Sequence, residues 1–310
     1  MNDDIAILAQ DLSRNYGKFV AVDKVNFSVR YGEIFGFLGS NGSGKSTTIR
    51  MLCGILVPTG GTAKVAGFDV NTNPEDIKRA IGYVSQRFSL YGDLTVEENL
   101  KFYGAIYGIA RKDWDTRMAE VLKITGLESW RDRPAMHLSG GWKQKLALAN
   151  AILHKPRILF LDEPTAGIDP ISRRSIWELL YRIADSGVAL FVTTHYMEEA
   201  ERCNQIAFIS RGKLLKSGSP EDLKKNVEGK LLDVRCHPVM KGSQVFGSIP
   251  GVLRVTAYGT SVHLNVLDPE AVRQEIDKRA KAEMITVSSI QLIDPSLEDV
   301  FATIAEGERE

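Results

Sequence analysis

"EIFGFLGSNGSGKSTTIRMLCG", residues Glu33 to Gly54, decides the fold. Ile34, Phe35, Phe37 and Leu38 read as a buried strand, and "TTIRMLCG" reads as a helix that stops at Gly54. Between them, Gly39, Gly44, Lys45 and Ser46 spell G-x-x-x-x-G-K-S. Strand, glycine-rich loop and helix form the context that this motif requires. The loop Gly39, Ser40, Asn41, Gly42, Ser43, Gly44, Lys45, Ser46, Thr47 can wrap its backbone N–H groups around a phosphate. Lys45 is expected to meet the β- and γ-phosphates, Ser46 to ligate Mg²⁺, and Thr47 to add a phosphate contact.

Further along, "RILFLDEPTAG" begins at Arg157. Ile158 to Leu161 read as a buried parallel strand ending in Asp162 and Glu163. Ligands of open α/β sheets collect at the carboxyl ends of strands. Asp162 is suited there to Mg²⁺, and Glu163 to polarising an attacking water. A second anion-seeking helix start follows the first at a distance: "LSGGWKQK", Leu138 to Lys145.

Phosphate loop, "LSGG" and "LDEP", in that order over about residues 5–220, resemble the nucleotide-binding subunits of ABC transporters. The resemblance implies an α/β P-loop NTPase of ABC type, with a RecA-like core and a helical lobe, binding ATP and Mg²⁺. It implies that two chains pack head to tail as an ATP-dependent dimer. Ser139, Gly140 and Gly141 of one chain would then meet the γ-phosphate held by the other, which explains why two such turns are needed. It also implies that Gln86 in "YVSQRFSLYGDLT" touches Mg²⁺ or water, and that Arg87 to Leu100 face a membrane partner. Asp169 in "AGID" would cross the dimer interface and can also cap a helix. His195 in "FVTTHYMEEA" would contact the γ-phosphate, and Tyr16 would stack on adenine. The catalytic group is thus Glu163, His195, Gln86 and Lys45, and the metal ligands Ser46, Gln86 and Asp162. Three positions depart from the pattern: Ser40 where Pro is frequent, Trp142 after "LSGG", and Lys145 where Arg is usual. None removes a catalytic group, so both sites of a homodimer should be competent.

The helical lobe is expected from about Thr95 to Leu153. Thr95 with Glu98 three residues later reads as a capping box. Tyr103 and Tyr107, four apart, read as packing. "SGSP" at Ser217–Pro220 is a breaker cluster. We expect residues 1–226 to form the ATP-binding domain and 227–310 a small α+β domain. In the latter, "SVHLNVL" alternates, with Val262, Leu264 and Val266 on one face. Asp268 with Pro269, and later "DPSLEDVFATI", open helices. With a short helix over residues 238–248 the order is βαββαβ, a ferredoxin-like pattern, plus a final helix. This tail resembles the accessory domain of exporter-type ABC subunits. His237 and His263 have no metal-ligand companions and read as structural or solvated.

Lys plus Arg and Asp plus Glu both total 39, so the net charge is zero and gives no electrostatic case for nucleic acid. Cys53, Cys203 and Cys236 form no C-x-x-C pair, which favours a reducing compartment over a disulfide frame. "MNDDIAILAQ" lacks a basic region and is not expected to be a secretory signal. "VALFVTT" has only strand length, so a soluble chain is expected. The expected function is ATP hydrolysis powering export through a separate integral membrane permease, at the cytoplasmic face of the membrane. The alternative is an ABC-type mechanical ATPase without a permease. The absence of a second cassette or a heptad insert favours the first.

Overall fold

A computed structural model describes residues 4–86 and 89–306. The chain divides into two compact units between Ser219 and Pro220. The expected boundary at Asn226 lies one short helix later, because that helix packs with the second unit.

In chain order, the first unit has strands β1 (Ile5–Tyr16), β2 (Phe19–Arg30), β3 (Ile34–Leu38), β4 (Gly60–Val65), β5 (Phe68–Asp69), β6 (Ile81–Val84), β7 (Ile158–Asp162), β8 (Ala189–Thr194), β9 (Gln205–Ser210) and β10 (Lys213–Gly218). Its helices are α1 (Lys45–Leu52), α2 (Pro74–Ala80), α3 (Val96–Ile106), α4 (Trp114–Thr125), α5 (Gly140–Ile152), α6 (Pro170–Asp185) and α7 (Met197–Ala200). The main sheet runs β10-β9-β3-β8-β7-β6, and all its pairings except β10 with β9 are parallel. Every residue of β3, β7 and β8 is buried. Such continuous apolar runs mark strands covered on both faces.

One cover is an antiparallel sheet, β2-β1-β4-β5. Phe27 of β2 reaches from it to Phe35, Phe37 and Phe191, with ring centroids 5.5, 5.6 and 5.7 Å away. Burying such rings supplies the largest apolar contributions per residue. The other elements include the helical lobe, where α3, α4 and α5 pack together. The expected capping box starts α3: Thr95 N donates to Glu98 Oε2 at 2.8 Å, and Glu98 N to Thr95 Oγ1 at 3.2 Å. Tyr103 bonds Ser89 O through its hydroxyl, and Tyr107 stacks on His154 at 3.8 Å, so both tyrosines are packing residues.

The second unit holds α8 (Pro220–Lys225), β11 (Lys230–His237), α9 (Val239–Gly247), β12 (Val252–Tyr258), β13 (Ser261–Val266), α10 (Pro269–Ala282), β14 (Thr286–Ile293) and α11 (Leu297–Glu306). From β11 to β14 this is βαββαβ, and the antiparallel order β12-β13-β11-β14 is that of a ferredoxin-like sheet. Asp268 Oδ1 caps α10, accepting from Glu270 N at 3.0 Å, with Pro269 in the first turn. Val262, Leu264 and Val266 enter a core with Phe246, Val272 and Ile276. Ser261 and Asn265, on the opposite face of β13, are buried as well. Residues of α11 reach that second face: Arg254 Nη1 donates to Thr303 Oγ1 at 2.6 Å, and His263 lies 3.6 Å from Asp299. Alternation separates this polar face from the apolar one, and the final helix covers it.

Candidate functional site

The phosphate loop joins β3 to α1. An added Cβ at Gly39 would lie 2.3 Å from Ile209 O, and one at Gly44 2.6 Å from Ala21 O. Gly44 also has φ 112°, outside the range of ordinary L-residues. The two motif glycines are therefore fixed by close backbone approach. The resulting loop leaves the first N–H groups of α1 without intrahelical acceptors. Ser43 Oγ is buried in it with no hydrogen-bond partner. A buried orphan hydroxyl, free helix-start donors and a buried lysine suit a phosphate.

Lys45 Nζ donates to Gly39 O at 2.7 Å and Ser40 O at 3.2 Å, and lies 3.6 Å from Glu163 Oε1. Burial pushes its ammonium below the ordinary lysine range, while Glu163 and Asp162 pull it back up. Ser46 Oγ donates to Asp162 Oδ1 at 3.4 Å. These two hard oxygens, brought together from the loop and the end of β7, suit Mg²⁺. Among the described residues no cluster of three or more His, Cys, Asp and Glu could hold a metal ion alone. Magnesium there would need phosphate oxygens and water to complete its shell.

Glu163 follows β7 with φ 52°. A non-glycine residue in this region costs about 1 kcal/mol or more and commonly marks a functional turn. Its N–H donates to both Thr193 O and Thr193 Oγ1, each at 3.1 Å. Its carboxylate accepts from Gln86 Nε2 at 2.9 Å and lies 3.4 Å from His195 Nδ1. Lys45, Gln86, Asp162, Glu163, Ser46 and His195, drawn from separated segments, thus meet at the carboxyl end of the parallel sheet.

Other expected residues lie elsewhere in the unit. Tyr16 ends β1, 47% exposed, with the Arg14 guanidinium 4.8 Å from its ring centroid. Ser139 is the exposed N-cap residue of α5 and makes no side-chain capping bond. No hydrogen bond or ion pair among the described residues joins Ser139, Gly140 or Gly141 to the phosphate loop. Asp169 caps α6, with Oδ1 accepting from Ser172 N at 2.9 Å. Arg87, first residue of the expected partner-facing segment, lies outside the described residues.

Two groups of site residues escaped the sequence reading. Thr193 Oγ1 donates to Asp162 Oδ1 at 2.6 Å while accepting from Glu163 N, so one hydroxyl orients both acids. Buried Glu199 accepts from Thr165 and from Thr194 Oγ1, the latter at 2.7 Å, and lies 3.6 Å from Arg173 Nε. This ties the turn after Glu163 to the end of β8. The signal available was the threonine pair in "VTTH", which periodicity cannot separate from ordinary strand residues.

Known proteins resemble this chain in sequence and fold. The family profile described as ABC transporter matches residues 22–166, and that of the C-terminal domain of DrrA1-3-like ATP-binding proteins matches residues 218–305. The linearmycin resistance ATP-binding protein LnrL of Bacillus subtilis is 34% identical over 301 residues, covering 96% of this chain and 97% of LnrL. The chain belongs to the ATP-binding subunits of ABC transporters, a family of ATPases. The daunorubicin/doxorubicin resistance ATP-binding protein DrrA of Streptomyces peucetius is 36% identical over 96% of this ABC subunit and 92% of DrrA. The "Probable multidrug ABC transporter ATP-binding protein YbhF" of Escherichia coli is 47% identical over 221 residues, which is 71% of this chain and only 38% of YbhF. Among solved structures, cbiO1 of Clostridium perfringens, part of the ABC transporter complex cbiONQ, superposes with TM-score 0.68 at 27% identity. It covers 72% of this chain and 92% of cbiO1. A dimeric bacterial ABC transporter cassette superposes with TM-score 0.62 at 26% identity over 69% of this chain and 98% of that one.

Proposed function

We propose that this ABC subunit binds and hydrolyses Mg-ATP between two copies of itself and so powers export through a separate membrane permease. The observation that carries this reading is the Glu163 carboxylate, set among Lys45, Gln86 and His195 beside the phosphate loop. Gly39 to Thr47 cradle the phosphates of ATP, and the Lys45 ammonium shifts from loop carbonyls to the β- and γ-phosphates. Ser46, Asp162 and Gln86 would hold Mg²⁺, which would neutralise charge on the transferring phosphoryl group. Glu163 takes the proton of the attacking water as a general base. His195 contacts the γ-phosphate, and Tyr16 stacks on the adenine.

Ser139, Gly140 and Gly141 complete the site in the second chain, together with Asp169 at the interface. ATP then acts as the adhesive of a two-fold dimer, and loss of the γ-phosphate lets it open. The solved dimeric cassette supports a two-chain site, in which Ser139 to Gly141 would be the signature turn. Export is supported by the resistance proteins that match nearly end to end. The partner is an integral membrane permease, and the chain works at the cytoplasmic face of the membrane. Among the described residues no helix is long and apolar enough to cross a membrane. Tyr91, Phe102 and Met136 of the helical lobe expose apolar side chains suited to such a partner.

Phosphate release from Mg-ATP by the purified chain tests the reading. Turnover per chain should rise with protein concentration, because each site needs two chains. Turnover independent of protein concentration, or none at all, would overturn it.

A further inference from the structure

The signature turn is flanked by a column of rings and cations for which the chemistry has no use. Trp142 is in the first turn of α5, directly after Gly140 and Gly141. Its ring centroid lies 5.0 Å from that of Trp130. Lys145 Nζ sits 4.5 Å from the Trp142 ring centroid, and the Arg133 guanidinium 4.9 Å from that of Trp130. The order Arg133, Trp130, Trp142, Lys145 puts a cation on each end of an aromatic pair, where the negative ring faces attract it. Trp142 and Lys145 are also two of the positions where the sequence departs from the expected pattern.

Buried Leu138 and the backbone bonds Ala135 N to Leu94 O and Met136 N to Gly92 O, both 2.9 Å, anchor the chain entering the turn, but the turn's own side chains add little. Ser139 makes no side-chain capping bond, and the first turn of α5 holds no acidic residue. A Cβ at Gly140 would meet open space. Only Gly141 is pressed from the far side, since a Cβ there would lie 2.5 Å from Ser172 Oγ of α6. Trp130 in turn stands on an anchored segment. Arg131 O accepts from Glu97 N at 3.0 Å, Arg133 O from Val96 N at 3.1 Å, and Arg131 pairs with Glu97. The column therefore links the start of α5 to the start of α3.

We propose that Trp142 is a positioning residue for the signature turn, holding Ser139 to Gly141 in the orientation that meets the γ-phosphate of a second chain. The inference rests on the two-chain reading under Proposed function. Trp142 and Lys145 do not belong to the phosphate-loop cluster of their own chain, so single-chain nucleotide affinity should not depend on them.

The test uses the full chain carrying Glu163→Gln, with Mg-ATP-dependent dimerisation followed by size-exclusion chromatography with light scattering. Adding Trp142→Ala should raise the ATP concentration for half-dimerisation about tenfold. Trp142→Phe should restore it, and Trp142→Leu, which fills space without a ring face, should not. Mg-ATP affinity of the single chain, measured by calorimetry in a Ser139→Arg background, should stay within about twofold for all three. Equal dimerisation of the Ala variant and its parent would overturn the inference, as would Leu performing as well as Phe. Loss of single-chain Mg-ATP affinity in the Ala and Leu variants would mean that Trp142 supports the fold alone, and would also overturn it. Failure of the Glu163→Gln parent to dimerise would remove the two-chain reading itself, and this inference with it.

Discussion

Gln86 and Glu163 stand 77 residues apart and share a hydrogen bond of 2.9 Å, Nε2 donating to Oε2. With Lys45 Nζ 3.6 Å from Oε1, both oxygens of the carboxylate are aimed before ATP arrives. On the proposed reading Lys45 turns to the phosphates and Gln86 to Mg²⁺ when ATP binds, which frees the carboxylate to take a proton from water.

Glu163→Gln keeps the shape and removes the basicity. Hydrolysis should fall by about 10² or more, the usual weight of a general base, with nucleotide affinity unchanged. The variant should accumulate as a dimer in Mg-ATP on size-exclusion chromatography. Wild-type rates of phosphate release would show that Glu163 is not the general base.

Lys45→Ala removes a buried cation from the phosphate loop. Charge-assisted bonds to phosphate are the strong class, so Mg-ATP affinity should weaken about tenfold to a hundredfold. Calorimetry on the single chain measures this directly. Unchanged affinity would mean that the ammonium stays on Gly39 O and Ser40 O when ATP binds.

Gly39→Ala tests the loop from the backbone side. Its new Cβ would meet Ile209 O at 2.3 Å, and a carbonyl in a parallel strand cannot move away easily. A stability loss of about 1–3 kcal/mol is expected, with loss of ATP binding. Urea denaturation of the full chain checks the first, and a native-like midpoint would show that the loop has slack.

The phosphate loop was legible because its glycines answer to backbone geometry, which leaves a fixed spacing in the sequence. The position of Asp162 and Glu163 at the carboxyl end of a buried parallel strand was legible from the apolar run Ile158 to Leu161 that leads into them. Thr193 was not, since a threonine in a β-strand satisfies propensity and gives no sign that its hydroxyl faces two carboxyl groups. The same limit hid the second face of β13. Alternation puts Ser261, His263 and Asn265 on the face opposite Val262 without saying what covers it, and only the fold brings α11 back over them.

That buried polar face carries a pH dependence. His263 is raised above the ordinary value of 6.5, chiefly by the Asp299 carboxylate, against the opposing effect of burial. Burial pushes Asp299 up, but His263 and Ser296 together hold it below the ordinary 3.8. A raised histidine contributes stability below its unfolded value and loses it as pH rises through the folded value. A depressed carboxylate loses its contribution as pH falls through the folded value. Attachment of α11 should thus be strongest between the ordinary carboxylate value of 3.8 and the ordinary histidine value of 6.5, and weaken as pH rises from there through the raised His263 value. Hydrogen-exchange protection factors for residues 297–304 should fall across that rise, and His263→Phe should flatten the profile. An identical profile in both proteins would mean that His263 does not govern the attachment.

Ser139→Arg tests which chain the signature turn serves. Ser139 makes no bond to its own phosphate loop, so Mg-ATP binding by the single chain should remain nearly intact. The closed dimer should not form, because a bulky cation enters the γ-phosphate contact across the interface. The decisive sample mixes Ser139→Arg chains with Lys45→Ala chains. In a head-to-tail pair, the Lys45 variant offers an intact turn to the intact phosphate loop of the Ser139 variant. One composite site then has all its parts, and the other carries both lesions. ATP hydrolysis in the mixture, absent from either variant alone, is the expected result. If the two sites must fire together, the mixture should still form a nucleotide-dependent heterodimer, so light scattering is measured beside turnover. Loss of ATP binding by the Ser139→Arg single chain would place the turn in its own chain's pocket. The shared site would then be wrong, whatever the mixture did.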